Sequence, residues 1–197
     1  MSFNAAFPVG LDVQWQSPEQ LPVGNAHLKN WLLDTGSLTE RVQALSSKFS
    51  LELLGQKALM PHSSELQLLE SNNSVCDDCV NEKSYQIREI LLCNNGQPWV
   101  FARSVIPQAI IDAELSNLGK EPLGKRLFND ARFKRSDFEI TSMPASQLGY
   151  AQSQSKESML WGRRSRFTLG NHSMIVAEVF LPNSPAYSTM PSSENLL

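Results

Sequence analysis

Two apolar runs joined by a tight turn constrain most strongly what this chain can become. The stretches "YQIREILLC" (residues 85–93) and "QPWVFARSVIP" (residues 97–107) flank "NNG". Asn95-Gly96 is a dipeptide favoured in short hairpin turns because both residues accept positive φ. Strands joined so closely run antiparallel. Both faces of the first strand are apolar except for Arg88 and Glu89, which alternation sends to opposite sides. A strand of that kind belongs in a sheet covered on both faces.

A second hairpin is expected from "LWGRRSRFTL" and "SMIVAEVFLP", joined by Gly170-Asn171. Helical signals lie outside the hairpins. "HLKNWLLD" places Leu28, Trp31 and Leu32 on one face, with Gly36 as a stop, and Ser37 and Glu40 then have capping-box spacing. The helix they open is predicted to turn Val42 and Leu45 inward. Ile110, Ile111, Leu115 and Leu118 form another apolar face ended by Gly119, and Pro122 suits the first turn of a short helix, "PLGKRLF". "RSDFEI" reads as a further strand.

The segments between them are polar: an extended arm over residues 1–25, a connection with one helical turn over 61–84, and a Ser/Gln-rich loop over 142–158. Residues 188–197 are expected to form a disordered tail behind a single domain spanning 1–187. Helices and hairpins in this order indicate an α+β class, not a doubly wound sheet.

Charge narrows the functional classes. Seventeen Lys and Arg against 20 Asp and Glu leave a net charge of −3, which provides no general attraction to nucleic acid or to an anionic membrane. The densest basic cluster, "WGRRSRF", is divided by strand alternation, with Arg163 on one face and Arg164 and Arg166 on the other. No apolar run approaches the ~20 residues of a membrane span, and the first residues lack the pattern of a signal peptide. Three cysteines suit a reducing compartment, so the cytoplasm is expected. Cys76 and Cys79 form a lone CxxC with only Cys93, His27, His62 and His172 as further candidates, too few and too scattered for a zinc site. No metal is expected. Dinucleotide, phosphate-loop and nucleophile-elbow motifs are absent.

Two charges remain, each within a long apolar strand: Arg88, and Glu178 in "MIVAEVFLP". Burying a lone charge costs several kcal/mol or more unless it is paired, protonated or facing water. The residues can pair with each other or with neighbours, or face solvent. Alternatively they can line a closed pocket, with Arg88 gripping a carboxylate bidentately and Glu178 acting as a carboxyl whose pKa burial raises for proton transfer. The residues alone leave both alternatives open.

"WLLDTGSLTERV", "REILLCNNGQPWVFARSVIP", "LGKEPLGKRLF", "LWGRRSRF" and "AEVFLPNSPAY", in this order and spacing, resemble the chorismate pyruvate-lyases of ubiquinone biosynthesis from about Trp31 to Tyr187. The resemblance implies an antiparallel β-sheet with helical flaps covering a buried ligand pocket. It implies an enzyme that splits chorismate into 4-hydroxybenzoate and pyruvate without a cofactor. By the same resemblance Arg88 holds the ring carboxylate, Glu178 lies near the ring hydroxyl, and Leu38 and Leu123 are the flap residues that contact the ligand. Leu38 stands where the pattern has methionine, and Ala102 where it has glycine.

The second carboxylate of chorismate, on the enolpyruvyl ether, needs its own donor, for which Arg103 and Arg163 are candidates. A monomer acting on a small molecule is expected, with no nucleic-acid partner and no stable membrane insertion. The competing class is a non-catalytic, effector-sensing domain of the same fold. Such sensors carry a DNA-binding domain ahead of the matching region, where this sequence shows about thirty residues punctuated by Pro8, Pro18 and Pro22.

Overall fold

The computed structural model describes residues 6–70, 84–115, 123–148 and 159–188. Helices α1 (Ala26–Leu32) and α2 (Leu38–Leu45) lead into β1 (Phe49–Ala58), α3 (Ser63–Glu70) and the hairpin β2 (Tyr85–Asn94) and β3 (Gln97–Pro107). A short helix, α4 (Gln108–Ile110), runs on as a π-helical turn, Ile111–Leu115, before α5 (Leu123–Asn129). Strands β4 (Lys134–Arg135), β5 (Glu139–Pro144), β6 (Met159–Leu169) and β7 (His172–Phe180) complete the described chain.

All seven strands join one antiparallel sheet in the order β1-β2-β3-β7-β6-β4, with β5 also paired to β6. The two expected hairpins form. Asn95 and Gly96 take φ of 49° and 73°, the left-handed region the dipeptide was expected to enter, and Gly170 takes 56°.

Alternation divides the sheet into the two covered faces that β2 requires. On one, Ile90, Leu92, Val100, Ala102 and Phe180 pack beneath Leu28, Trp31 and Leu32 of α1 and Leu38 and Val42 of α2. Further along that face, Ile106, Phe167 and Met174 are covered by Ile110, Leu115, Leu123 and Leu127. The N-terminal arm and α3 cover the other face. Leu11 packs on Leu91, Cys93, Phe101 and Val179, and Leu69 on Tyr85, Ile87, Val105 and Ile175. A Cβ at Gly55 would collide with the Phe7 ring, so the arm lies directly on the β1 backbone there.

The arm face also encloses a charge network. Arg103 donates from Nε and Nη2 to the Glu65 carboxylate at 2.8 and 3.1 Å, and from Nη1 to Glu89 Oε1 at 2.9 Å. Glu89 also accepts from the Val9 and Gly10 amides at 2.7 and 2.9 Å. One arginine thus joins the sheet, α3 and, through Glu89, the arm. Glu89 faces away from Arg88, as alternation requires.

Several expectations change. Strand β1 was not foreseen. It is a half-exposed edge strand whose apolar alternation is broken by a bulge between Leu53 and Gly55. The connection over 61–84 contains a two-turn helix instead of one turn, with Glu65 and Leu69 buried. Val42 is buried but Leu45 is 54% exposed, because α2 ends there. The strand expected at "RSDFEI" is divided into β4 and β5, where Ser136 leaves the ladder to exchange bonds with Arg166. Residues 142–144 continue β5, and a 3₁₀ turn follows at Ala145–Leu148. The rest of the 142–158 loop, Leu118, Gly119, Pro122, the Cys76/Cys79 pair and the tail beyond Ser188 lie outside the described residues. Cys93 is buried on the arm face, where burial, with Glu52 beside it, pushes its thiol up to about 12.

Candidate functional site

The face under α1, α2 and α5 holds a covered cavity. Its floor includes Ile90 and Leu92 from β2, Ala102 and Ser104 from β3, Val176 and Glu178 from β7, and Arg163 and Ser165 from β6. Its cover includes Thr39 of α2 and Leu123, Gly124 and Leu127 of α5. The two flaps meet closely. A Cβ built on Gly124 would lie 3.1 Å from Thr39 Oγ1, so glycine allows the first turn of α5 to press on α2. Ser37 begins α2 as expected, its Oγ accepting from the Glu40 amide at 3.3 Å.

Strand register arranges the charges across the floor. Ile90, Ala102, Glu178 and Arg163 lie in one transverse row, and Arg88, Ser104, Val176 and Ser165 in the adjacent row. Arg88 and Glu178 therefore share a face but are separated by β3, two strand spacings or about 10 Å at ~4.8 Å each. They do not pair with each other.

Glu178 pairs instead with its cross-strand neighbour, Arg163 Nε donating to Oε2 at 2.8 Å. Its side chain is 18% exposed, and its partner is a buried guanidinium. Glu178 is therefore not an isolated charge, because β6 supplies the countercharge directly opposite on the same face. The remaining contacts of Arg163 hold the roof. Nη1 donates to the carbonyls of Trp31 and Asp34 at 3.1 and 2.7 Å, fastening the end of α1 above the floor. Arg41 secures the same corner, with its guanidinium 3.8 Å from the Trp31 ring centroid and 2.6 Å from Asp34.

Arg88 is 2% exposed and donates from Nη1 to Gln56 Oε1 at 3.0 Å. Burial pushes its pKa below the ordinary arginine value. Arg88 itself is not among the residues that line the cavity, whereas Ser104, its neighbour on β3, is. Leu123 lines the cavity. The Leu38 side chain instead packs in the core with Trp31 and Val42, leaving Thr39 as the lining residue of α2. Leu38 is not among the residues that line the cavity. Ala102 stands between Ile90 and Glu178 in the lining.

The two arginines considered for a second carboxylate separate. Arg103 lies on the arm face, enclosed by Glu65 and Glu89, away from the cavity. Arg163 is in the lining, as is Arg135 of β4, which sequence reasoning did not single out. Strand β4 has only two residues, too few for alternation to reveal. The cue available in "FKRSDF" was an arginine close to phenylalanines. The Arg135 guanidinium lies 4.5 Å from the Phe138 centroid and 5.5 Å from that of Phe128. Burial and the nearby Arg163 charge lower its pKa, with Glu178, Asp34 and Asp137 opposing.

Among the described residues no three His, Cys, Asp or Glu side chains are gathered as metal ligands. No described helix is long and apolar enough to cross a membrane. The cavity thus has apolar walls, the guanidinium groups of Arg163 and Arg135 towards β6 and β4, and the Glu178 carboxylate beside them.

The family model described as "Chorismate lyase" matches residues 10–191. A Pseudoalteromonas atlantica protein named probable chorismate pyruvate-lyase is 42% identical over 188 residues, which cover 94% of this chain and 95% of that protein. One of the same name from Shewanella loihica is 35% identical, covering 91% and 93%. Among solved structures, a GntR-family transcriptional regulator from Bacillus cereus superposes with a TM-score of 0.50 at 12% identity, over 74% of this chain and all of that one. That likeness concerns the fold alone.

Proposed function

The chain belongs to the chorismate lyase family, and on that premise we propose that it is a chorismate pyruvate-lyase, splitting chorismate into 4-hydroxybenzoate and pyruvate. The observation that carries the reading is the floor of the covered cavity, where Glu178 is held as the partner of Arg163, two strands from Arg88.

Chorismate carries a ring carboxylate, an enolpyruvyl ether on C3 and a hydroxyl on C4. Breaking the C3–O bond and removing the C4 proton makes the ring aromatic, while the departing enolpyruvate gains a proton and becomes pyruvate. The reaction is downhill and redox-neutral, so the protein has to hold one conformer, stabilise the departing enolate and accept a proton. In this reading Arg88 orients the ring carboxylate through bidentate hydrogen bonds. Glu178, whose Oε2 accepts from Arg163 Nε, faces C4 and takes either its proton or the hydrogen bond of its hydroxyl. Leu123 and the Thr39 edge of α2 exclude water from the ring, and parting of the flaps releases the aromatic product. Supply of 4-hydroxybenzoate for ubiquinone synthesis by a cytoplasmic monomer without a cofactor belongs to the same proposal.

Incubation of the purified protein with chorismate in the presence of a chelator tests the reading. Equimolar 4-hydroxybenzoate and pyruvate support it, and a different aromatic product indicates a related lyase. No product, together with a melting temperature raised by 4-hydroxybenzoate, indicates a binding domain. Arg88→Ala is expected to weaken competitive inhibition by 4-hydroxybenzoate about 10–100-fold, the magnitude of a lost charge-assisted pair. An unchanged inhibition constant would remove Arg88 from the ring-carboxylate site.

A further inference from the structure

We propose that Arg135 is the anchor for the second carboxylate of the substrate, the one carried on the enolpyruvyl ether. The proposal rests on the lyase reading above and assigns a group that this reading leaves without a donor.

Across the cavity face the order is Arg88 on β2, then Ser104 and Ala102 on β3, Glu178 on β7, Arg163 on β6 and Arg135 on β4. A ring with its carboxylate at Arg88 and its C4 hydroxyl at Glu178 lies across β3. The C3 substituent, adjacent to C4, can then extend past Glu178 towards β6 and β4. Arg135 pairs with Phe167 there, on the cavity side of the sheet, and lines the cavity.

Arg163 uses Nε on Glu178 and Nη1 on two main-chain carbonyls. Arg135 makes no such commitment. Among the described residues no carboxylate lies within ion-pair distance of it, and its contacts are with aromatic rings, at 4.5 and 5.5 Å. Stacking fixes the plane of a guanidinium without consuming its N–H donors, so the edge remains available for a planar carboxylate. Phe138 lies close to both arginines, with the Arg163 guanidinium 4.7 Å from its centroid. The cost of holding two like charges near one ring falls when an anion binds between them.

Chorismate is a dianion whose second charge leaves with pyruvate, and 4-hydroxybenzoate retains only the ring carboxylate. An anchor at Arg135 thus recognises substrate but not the aromatic product. It also lies where charge builds on the departing enolpyruvate.

The test compares wild type, Arg135→Gln and Arg135→Lys by KM for chorismate and Ki for 4-hydroxybenzoate, with melting curves to verify folding. Arg135→Gln is expected to raise KM about 10–100-fold, as for a lost hydrogen-bonded ion pair, with Ki within about twofold of wild type. Arg135→Lys should recover part of the loss, since it keeps the charge but not the fork. An unchanged KM in a folded Arg135→Gln protein overturns the assignment, as does an equal rise in KM and Ki, which would mark a general structural role. Normal cleavage by wild type beside an unaffected variant removes this subsite alone. A wild type that neither cleaves nor binds chorismate removes the lyase reading and the subsite together.

Discussion

Glu178→Gln is expected to lower kcat by about 10²–10⁴-fold, the range for removing a positioned general base, while Ki for 4-hydroxybenzoate changes far less. The substitution is nearly isosteric, and the amide oxygen can still accept the Arg163 Nε hydrogen bond now made to Oε2 at 2.8 Å. The roof contacts of Arg163 with Trp31 and Asp34 should therefore persist, and with them the shape of the cavity. What is lost is the ability to take a proton. Single-turnover kinetics with chorismate, beside a melting curve, separate that loss from misfolding. Turnover at the wild-type rate by a folded variant would leave Glu178 no part in proton transfer and reduce it to a partner for Arg163.

The second large effect is expected away from the cavity. Arg103→Leu should cost about 3–5 kcal/mol of folding stability, because it leaves Glu65 and Glu89 buried without their shared cation. Glu89 would retain the Val9 and Gly10 amides, whereas among the described residues Glu65 would retain only the His62 amide, at 2.8 Å. Denaturant unfolding reads the loss directly, and a change below about 1 kcal/mol would mean that the network relaxes without strain. The kinetic consequence differs from that of a ligand-binding arginine. At a temperature where the variant remains folded, KM for chorismate should stay close to wild type, since Arg103 and the cavity lie on opposite faces. A selective rise in KM would place Arg103 in the ligand site after all.

Sequence reasoning was strongest where local chemistry decides structure. Asn95-Gly96 set the first hairpin, Ser37 the start of α2, and the apolar run of β2 the need for cover on both faces. It was weakest at elements whose existence depends on neighbours. β1 is a half-exposed edge strand interrupted at Gly55, and β4 is two residues paired to the end of β6. Neither has enough periodicity of its own to be seen. "AEVFLPNSPAY", read for its glutamate, also serves the fold: the Tyr187 hydroxyl accepts from the Trp161 amide at 2.8 Å and donates to the Phe180 carbonyl at 2.9 Å, and Pro185 binds His27 of α1.

The candidate site divides in the same way. By itself the sequence determined which face of each strand a charge occupies, because side-chain direction alternates residue by residue along a strand. That placed Arg88 opposite Glu89, and Arg163 opposite Arg164. It also marked Arg88 and Glu178 as charges needing a partner, since a lone ion in an apolar strand is expensive. Only the tertiary structure decided who those partners are. The register of β6 against β7 gives Glu178 to Arg163, that of β2 against β3 gives Arg103 to Glu89, the packing of α3 adds Glu65, and the short strand β4 brings Arg135 to the edge of the cavity. Glu178–Arg163 and Arg103–Glu89 meet across single hairpins, 15 and 14 residues apart, whereas Arg103–Glu65 joins segments 38 residues apart, and each energy depends on a separation of a few ångströms that only the assembled sheet sets.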